Sequence, residues 1–387
     1  MFKMPTIGIT GSVGKTTTTL FAEYVFAEKY NVFVSGPGGK NYNIPTAITK
    51  AMIGRYGPQY DMHIQECGGG RSRLVEEAAE LLHVDAFGIT GINEYHHTDA
   101  YNGTEDLIAD KTSFDRHSDE NAIGVINIDD EILRNYEFSR KIITYGIKDK
   151  EADYFAENIE QSGKWLTFDI TGNGETVPIR IQIIGKHNAY NALMIFALAK
   201  YYGLSNESIQ RGFEKYKGGD IRQSIREVAG RILYVDCFNV CADSIKSCCT
   251  AMKDINLEKG ARRIAVINGE NALGDKHYSI NYKTGQDLAE YKHIDRFIFL
   301  GLNEHANEKE LNHYGDGKAV FDGAESTIDK RKISFVDDLE ELATILREET
   351  FRGDLILFKG IFRLPLFAAI DMAFGTSYLM YNPNFKG

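Results

Sequence analysis

A chain of 387 residues is too long for one ordinary core and suits two domains, and a hydrophobic fraction of 43% is that of a soluble globular protein. The net charge of -11 comes with no basic stripe of the kind nucleic acid demands, which excludes nucleic acid as the main partner and leaves room for one basic nucleotide pocket. There is no run of about 18 apolar residues and no charged-then-apolar leader, so neither a membrane span nor a secretory signal is expected and the cytoplasm is the default.

The first element along the chain is a β-branched run, Ile7-Gly8-Ile9-Thr10, which feeds a glycine turn and then Gly14-Lys15-Thr16, where a helix opens and is expected to reach about Lys29. Strand, loop and helix in that order make a phosphate loop. Amides of Gly11, Ser12, Val13 and Gly14 and the helix N-terminus face the phosphates, Lys15 reaches the β/γ-phosphates, and the Thr16 hydroxyl meets Mg²⁺. The usual spacing G-x-x-x-x-G-K-[ST] asks for glycine at position 9, where this chain has Ile9, so a narrower pattern must carry the argument. Val32-Phe33-Val34 reads as a second strand, followed by a glycine-rich loop from Gly36 to Pro45. Its polar residues, Asn41 and Asn43 among them, are either substrate contacts beside the phosphate site or a solvated turn.

Met62 to Glu66 is a strand ending in an acid and the glycines 68–70, and an acid at the C-terminal end of a parallel strand points into the crevice where ligands bind. Glu66 is therefore a candidate Mg²⁺ ligand. Val84 to Thr90 is a further strand running into Gly91-Ile92-Asn93-Glu94-Tyr95-His96-His97, where one imidazole can complete a metal site. A helix from Thr104 to about Arg116 carries Lys111, and Ala122 to Asp130 gives another strand with a polar end. Period-two alternation around Thr171-Gly172-Asn173-Gly174 then predicts a hairpin, a small antiparallel appendage on a mostly parallel sheet. Helices are expected from Gly185-Lys186-His187-Asn188 to about Tyr202 and from Asn206 to Tyr216, with His187-Asn188 open to a capping role. The domain boundary is placed at 221/222, giving domains 1–221 and 222–387. Beyond it, strands at 232–236, 263–267, 296–300 and 354–358 alternate with helical stretches and predict a second, Rossmann-like α/β domain. The five cysteines lack a disulfide framework or the knuckle spacing of zinc and read as buried free thiols.

With these residues in place, the chain resembles the Mur ligase superfamily, in particular the branch that adds D-alanyl-D-alanine to the peptidoglycan precursor. Thr10-Gly11-Ser12-Val13-Gly14-Lys15-Thr16-Thr17 is similar to the family's T-G-[ST]-x-G-K-[ST]-[ST] loop, which accounts for Ile9. Asn41-Tyr42-Asn43 resembles the K-N-Y-N segment, and Gly185 to Ala192 the G-x-H-N-x-x-N-A signature. Glu66 falls on the family's Mg²⁺ glutamate, His96 on its metal-binding loop with His97 as a local rival, and Lys111 on the lysine that the family carbamylates. Arg222, Asp236 and Asn239, Asp243-Ser244 and Lys359-Gly360 resemble the later motifs.

The resemblance implies ATP-driven amide bond formation through an acyl phosphate. ATP would be held by the phosphate loop with His187, Asn188, Arg222, Asp236, Asn239 and Lys359, and Mg²⁺ by Thr16, Glu66, His96 and a carbamylated Lys111. Small-molecule carboxylate and amine substrates, or an acid presented by another protein, are the implied partners. Four features depart from the pattern: Gly91 for Asn, His97-Thr98 after His96, Cys241-Ala242 for Asn-Pro, and Ile361 for the serine after Lys-Gly. The phosphate loop also starts within the first dozen residues, so the uridine-nucleotide domain of the peptidoglycan ligases is expected to be missing and the acid to be something other than a uridine-nucleotide muramyl peptide. A glutamate-adding folate- or peptide-type ligase and a nucleotide-binding partner subunit without catalysis are the competing readings.

Overall fold

Thr6–Thr10 forms a strand that is buried at every position, because neighbouring strands pair on both of its sides and helices cover both faces. The structure, a computed structural model, describes residues 4–36, 59–68, 72–92, 101–162, 164–216, 218, 223–237, 240–271, 273–301, 315–361 and 366–376. The chain divides into two compact units, one of Met1–Glu160, Trp165–Gln182 and Lys186–Lys217, the other of Gln161–Lys164, Ile183–Gly185 and Gly218–Gly387. The division thus falls at 217/218, with two short segments, 161–164 just before the hairpin and 183–185 just after it, going to the second unit.

The first unit is built on β1 (Thr6–Thr10), β2 (Val32–Ser35), β3 (Met62–Glu66), β4 (Ala86–Ile89), β5 (Ile123–Asn127), β6 (Lys141–Gly146), β7 (Tyr154–Ser162), β8 (Trp165–Gly172) and β9 (Glu175–Gln182). They form one nine-stranded sheet in the order β2-β3-β1-β4-β5-β6-β7-β8-β9. Pairings from β2 through β7 are parallel, and β8 pairs antiparallel with β9, as the hairpin pattern predicts. β6 is a strand the sequence reading passed over, since Lys141-Ile142-Ile143-Thr144 is short and flanked by charge. The helix Lys15–Phe26 follows β1. The helix Asn188–Tyr201 is apolar around nearly its whole circumference and buries Ala189, Leu193, Ile195 and Phe196, as expected of a helix enclosed on all sides. The helix expected over 104–116 is two, Thr104–Lys111 and Ser113–His117, separated at Thr112.

In the second unit the strands are β10 (Ser224–Val228), β11 (Arg231–Asp236), β12 (Arg263–Ile267), β13 (Arg296–Leu300), β14 (Ile333–Val336) and β15 (Leu355–Lys359), in the order β10-β11-β15-β12-β13-β14. Only β10 runs antiparallel to its neighbour. Alternate residues feed two separate cores: Tyr234, Ala265, Phe297, Leu355 and Leu357 pack on one face, Leu233, Ile264, Ile298, Ile356 and Phe358 on the other. That is the period-two rule of a strand buried on both faces, and it explains why these segments read as unbroken apolar runs. The five cysteines are free thiols, four buried and Cys241 half-buried, and burial pushes those of Cys237 and Cys249 up to about 12. No helix among the described residues is long and apolar enough to cross a membrane.

Candidate functional site

At the C-terminal end of β1 the backbone turns at Gly11 and Gly14, with φ of 132° and 87°. Gly11 is required by contact as well as conformation: a Cβ there would stand 2.1 Å from the Thr90 hydroxyl. Thr90 Oγ1 donates to the Val13 carbonyl at 2.5 Å, and the Ser12 N–H donates to the Gly91 carbonyl at 2.8 Å, so the end of β4 braces the loop. Gly14 then starts the helix Lys15–Phe26 with no side-chain cap and no acid in the first turn. The first-turn N–H groups and the positive end of the helix dipole are thereby presented to an anion. A side chain at Gly14 would run into the amide oxygen of Asn191, one turn into the helix that His187 begins.

Lys15 curls over this loop, its Nζ donating to the carbonyls of Gly11 at 2.8 Å and Ser12 at 2.9 Å. Its stem passes so close to Gly68 that a Cβ there would meet Lys15 Cε at 2.6 Å, which accounts for glycine just after the strand-end acid. Thr16 and Glu66, fifty positions apart in the chain, meet directly: Thr16 Oγ1 donates to both Glu66 carboxylate oxygens, at 2.8 and 3.0 Å. Both side chains are buried, and their three oxygens form a hard donor set suited to Mg²⁺. The parallel register explains the meeting, since β3 lies beside β1 with Glu66 opposite Ile9.

Lys111 sits at the end of the helix Thr104–Lys111 with 2% of its surface exposed. Burial pushes its ammonium below the usual lysine range, against the opposing pull of the Asp110 carboxylate 3.6 Å away. Cys67, the residue after Glu66, is fully buried, and burial holds its thiol well above the usual range. Burial moves Lys111 toward the neutral amine, the form that adds CO₂, so the residues present fit a carbamate.

His187 is half-buried at the head of the helix Asn188–Tyr201, and Asn188 is fully buried and accepts the Asn191 amide at 2.9 Å. Asn41, Asn43, His96, His97, Arg222 and Asn239 lie outside the described residues. Sequence reasoning passed over Thr90 as the brace of the loop, Asn191 beside Gly14, and Asp110 with Tyr101 beside Lys111. The T-x-x-x-x-x-H and N-x-x-N spacings carried the first two.

In the second unit the ends of β11 and β15 bring two of the expected nucleotide contacts onto each other. Lys359 Nζ donates to Asp236 Oδ2 at 2.6 Å, and the Cys248 thiol reaches the same oxygen at 3.4 Å. Burial opposes the charge on Lys359, but Asp236 outweighs it and holds the ammonium above its usual range. Ile361, at the serine position, is 4% exposed and belongs to the hydrophobic core. Glu270, after β12, accepts the Ala242 N–H at 2.9 Å at the start of the helix Ala242–Lys253, and burial pushes its carboxyl up to about 7.

The Glu270 shift carries a stability consequence. A carboxyl raised from 4.5 to about 7 holds its proton more tightly in the folded chain, so its contribution is present below pH 4.5 and is lost as pH rises through 7. Glu270→Gln keeps an acceptor for Ala242 and removes the titration. The variant is expected to match the native chain near pH 5 and to exceed it at pH 8 by on the order of 2–3 kcal/mol, read by denaturant unfolding. A difference that stays level with pH counts against the assignment.

Comparison with known proteins agrees with the fold. Residues 9–199 match the Mur ligase middle domain. The UDP-N-acetylmuramoyl-tripeptide--D-alanyl-D-alanine ligase of Bacillus subtilis is 28% identical over 356 residues, covering 92% of this chain and 72% of its own. Among solved structures, MurF from Acinetobacter baumannii superposes with a TM-score of 0.80 at 19% identity, over 97% of this chain and 77% of that one. The MurF ligase from Thermotoga maritima in complex with ADP superposes with a TM-score of 0.78 at 19% identity, over 97% and 80%.

Proposed function

We propose, for a chain that belongs to the Mur ligase superfamily, ATP-driven joining of a carboxylate to an amine. The chain is an ATP-dependent amide-forming ligase. The observation that carries the site is the convergence of Thr16 Oγ1 with both Glu66 oxygens beside an uncapped helix start and Lys15.

In the reaction a carboxylate oxygen attacks the γ-phosphorus of ATP, the bridge to the β-phosphate breaks, and ADP leaves. An amine then attacks the acyl phosphate carbon, inorganic phosphate departs, and the nitrogen gives up a proton. Two anions must approach each other in the first step, so the protein's task is mainly electrostatic. Lys15 and the loop amides Gly11 to Thr17 take charge from the transferring phosphoryl group. Mg²⁺, when bound, would supply positive charge that offsets the negative charge of the reacting groups. Thr16 and Glu66 would hold it, and a carbamylated Lys111 together with His96 would hold a second ion. His187, Asn188, Arg222, Asp236, Asn239 and Lys359 are the proposed nucleotide contacts.

The acid is proposed to be an amino acid or other small acid, free or presented by a protein, in a specialised cytoplasmic pathway rather than a uridine-nucleotide muramyl peptide. The test is a screen for ADP release over paired carboxylates and amines, with mass spectrometry of the product and a uridine-nucleotide muramyl tripeptide with D-alanyl-D-alanine as one pair. ADP release with a small acid and none with the muramyl pair is expected. Ligation of the muramyl pair at ordinary enzyme rates would return the chain to cell-wall synthesis.

A further inference from the structure

Residues one apart on a helix point about 100° from each other and do not face one another. Asp110 and Lys111, the last two residues of the helix Thr104–Lys111, meet nonetheless, with Lys111 Nζ 3.6 Å from Asp110 Oδ2 and both side chains buried. Other groups put the carboxylate there. Oδ1 accepts the N–H groups of Val75 at 2.9 Å and Glu76 at 3.1 Å, in the first turn of the helix Leu74–Leu82. Oδ2 accepts the Tyr101 hydroxyl at 2.8 Å, and the Tyr101 ring centre lies 5.5 Å from Lys111 Nζ. Three donors from two other segments fix the carboxylate, and its remaining acceptor capacity is turned to the lysine nitrogen.

We infer that Asp110, held by the helix turn at Val75 and Glu76 and by Tyr101, is a positioning residue that sets the direction in which a carbamate on Lys111 points. The inference rests on the proposed carbamylation of Lys111. When the neutral amine adds to CO₂, a nitrogen–carbon bond forms, one carbon–oxygen π pair moves onto oxygen, and the nitrogen loses one proton to solvent. One N–H remains, in a place where an unpaired donor is costly. Asp110 Oδ2 is the acceptor at hand. The carbamate is planar, so fixing its N–H fixes its oxygens, and repulsion between like charges turns them away from Asp110. Asp110 thus acts through Lys111 and needs no contact of its own with substrate or metal.

The test reads the carbamate directly, by ¹³C NMR of the full chain in ¹³C-bicarbonate with a non-hydrolysable ATP analogue and Mn²⁺ as the probe ion. The native chain is expected to show a carbamate signal that Lys111→Ala lacks and that Mn²⁺ broadens away. Asp110→Asn keeps an acceptor for Val75 and Glu76 and places an amide NH₂ where Oδ2 was. Its carbamate signal is expected to persist and to need about tenfold more Mn²⁺ for equal broadening, the scale on which groups behind a ligand act. Tyr101→Phe removes one tether and spares the helix contacts; it is expected to need about threefold more, and it decides the matter should Asp110→Asn fail to fold by circular dichroism. Equal Mn²⁺ dependence in native chain and variants overturns the positioning role, as does loss of the carbamate signal in a folded Asp110→Asn. A native chain with no carbamate signal instead overturns the reading of Lys111, before any variant is made.

Discussion

Replacing Lys15 by alanine is expected to lower ATP-dependent ligation by roughly a thousandfold, the upper end of what one charge-stabilising group contributes. The side chain is tied to the loop it would serve: its Nζ donates to the Gly11 and Ser12 carbonyls, and its stem runs over Gly68. Those carbonyl contacts are short-range and local, so their loss leaves β1 and the following helix in place. The expected signature is an unchanged unfolding midpoint and circular dichroism spectrum with ADP release at the background level. Wild-type turnover in a folded Lys15→Ala chain would sink the phosphate-loop assignment.

Lys111→Ala is expected to cost about a hundredfold or more in the same assay, with small carboxylates such as formate or acetate restoring part of it. The reason is chemical. An ammonium facing bound Mg²⁺ would be repelled, whereas a carbamate supplies oxygens, and burial already favours the neutral amine from which the carbamate forms. Alanine leaves a small polar gap that a free carboxylate can enter. Full activity of Lys111→Ala at limiting bicarbonate counts against the carbamate, and a loss that no carboxylate relieves points to a packing role for the lysine stem.

The phosphate loop was legible because its signals are local. Glycines at 11 and 14, Lys15 and Thr16 follow a β-branched strand, and each of these acts through turn chemistry or helix capping within a few residues. The buried strands of the second unit were legible for the same reason, since apolar runs bounded by polar turns need no partner to be recognised. β6, β10 and β14 were passed over. β10 and β14 are short strands at the margins of their sheet, and β6, though inside its sheet, is buried only at its last two residues, so the apolar signal of each is weak.

By itself, then, the sequence determined which strongly patterned stretches are strands or helices and which loop can cradle phosphates, because propensity and patterning operate over a handful of residues. The tertiary structure decided which side chains meet. Thr16 reaches Glu66 across fifty positions only because β3 pairs parallel with β1, and Thr90 braces Val13 because β4 pairs on the other side. Asp110 turns to Lys111, against the geometry of their own helix, because Val75, Glu76 and Tyr101 hold its carboxylate. Asp236 and Lys359 face each other because β11 and β15 are register partners at their last residues. Strand order and register are set by how the whole chain buries its apolar surface, a sum over long-range contacts that no short window of sequence contains.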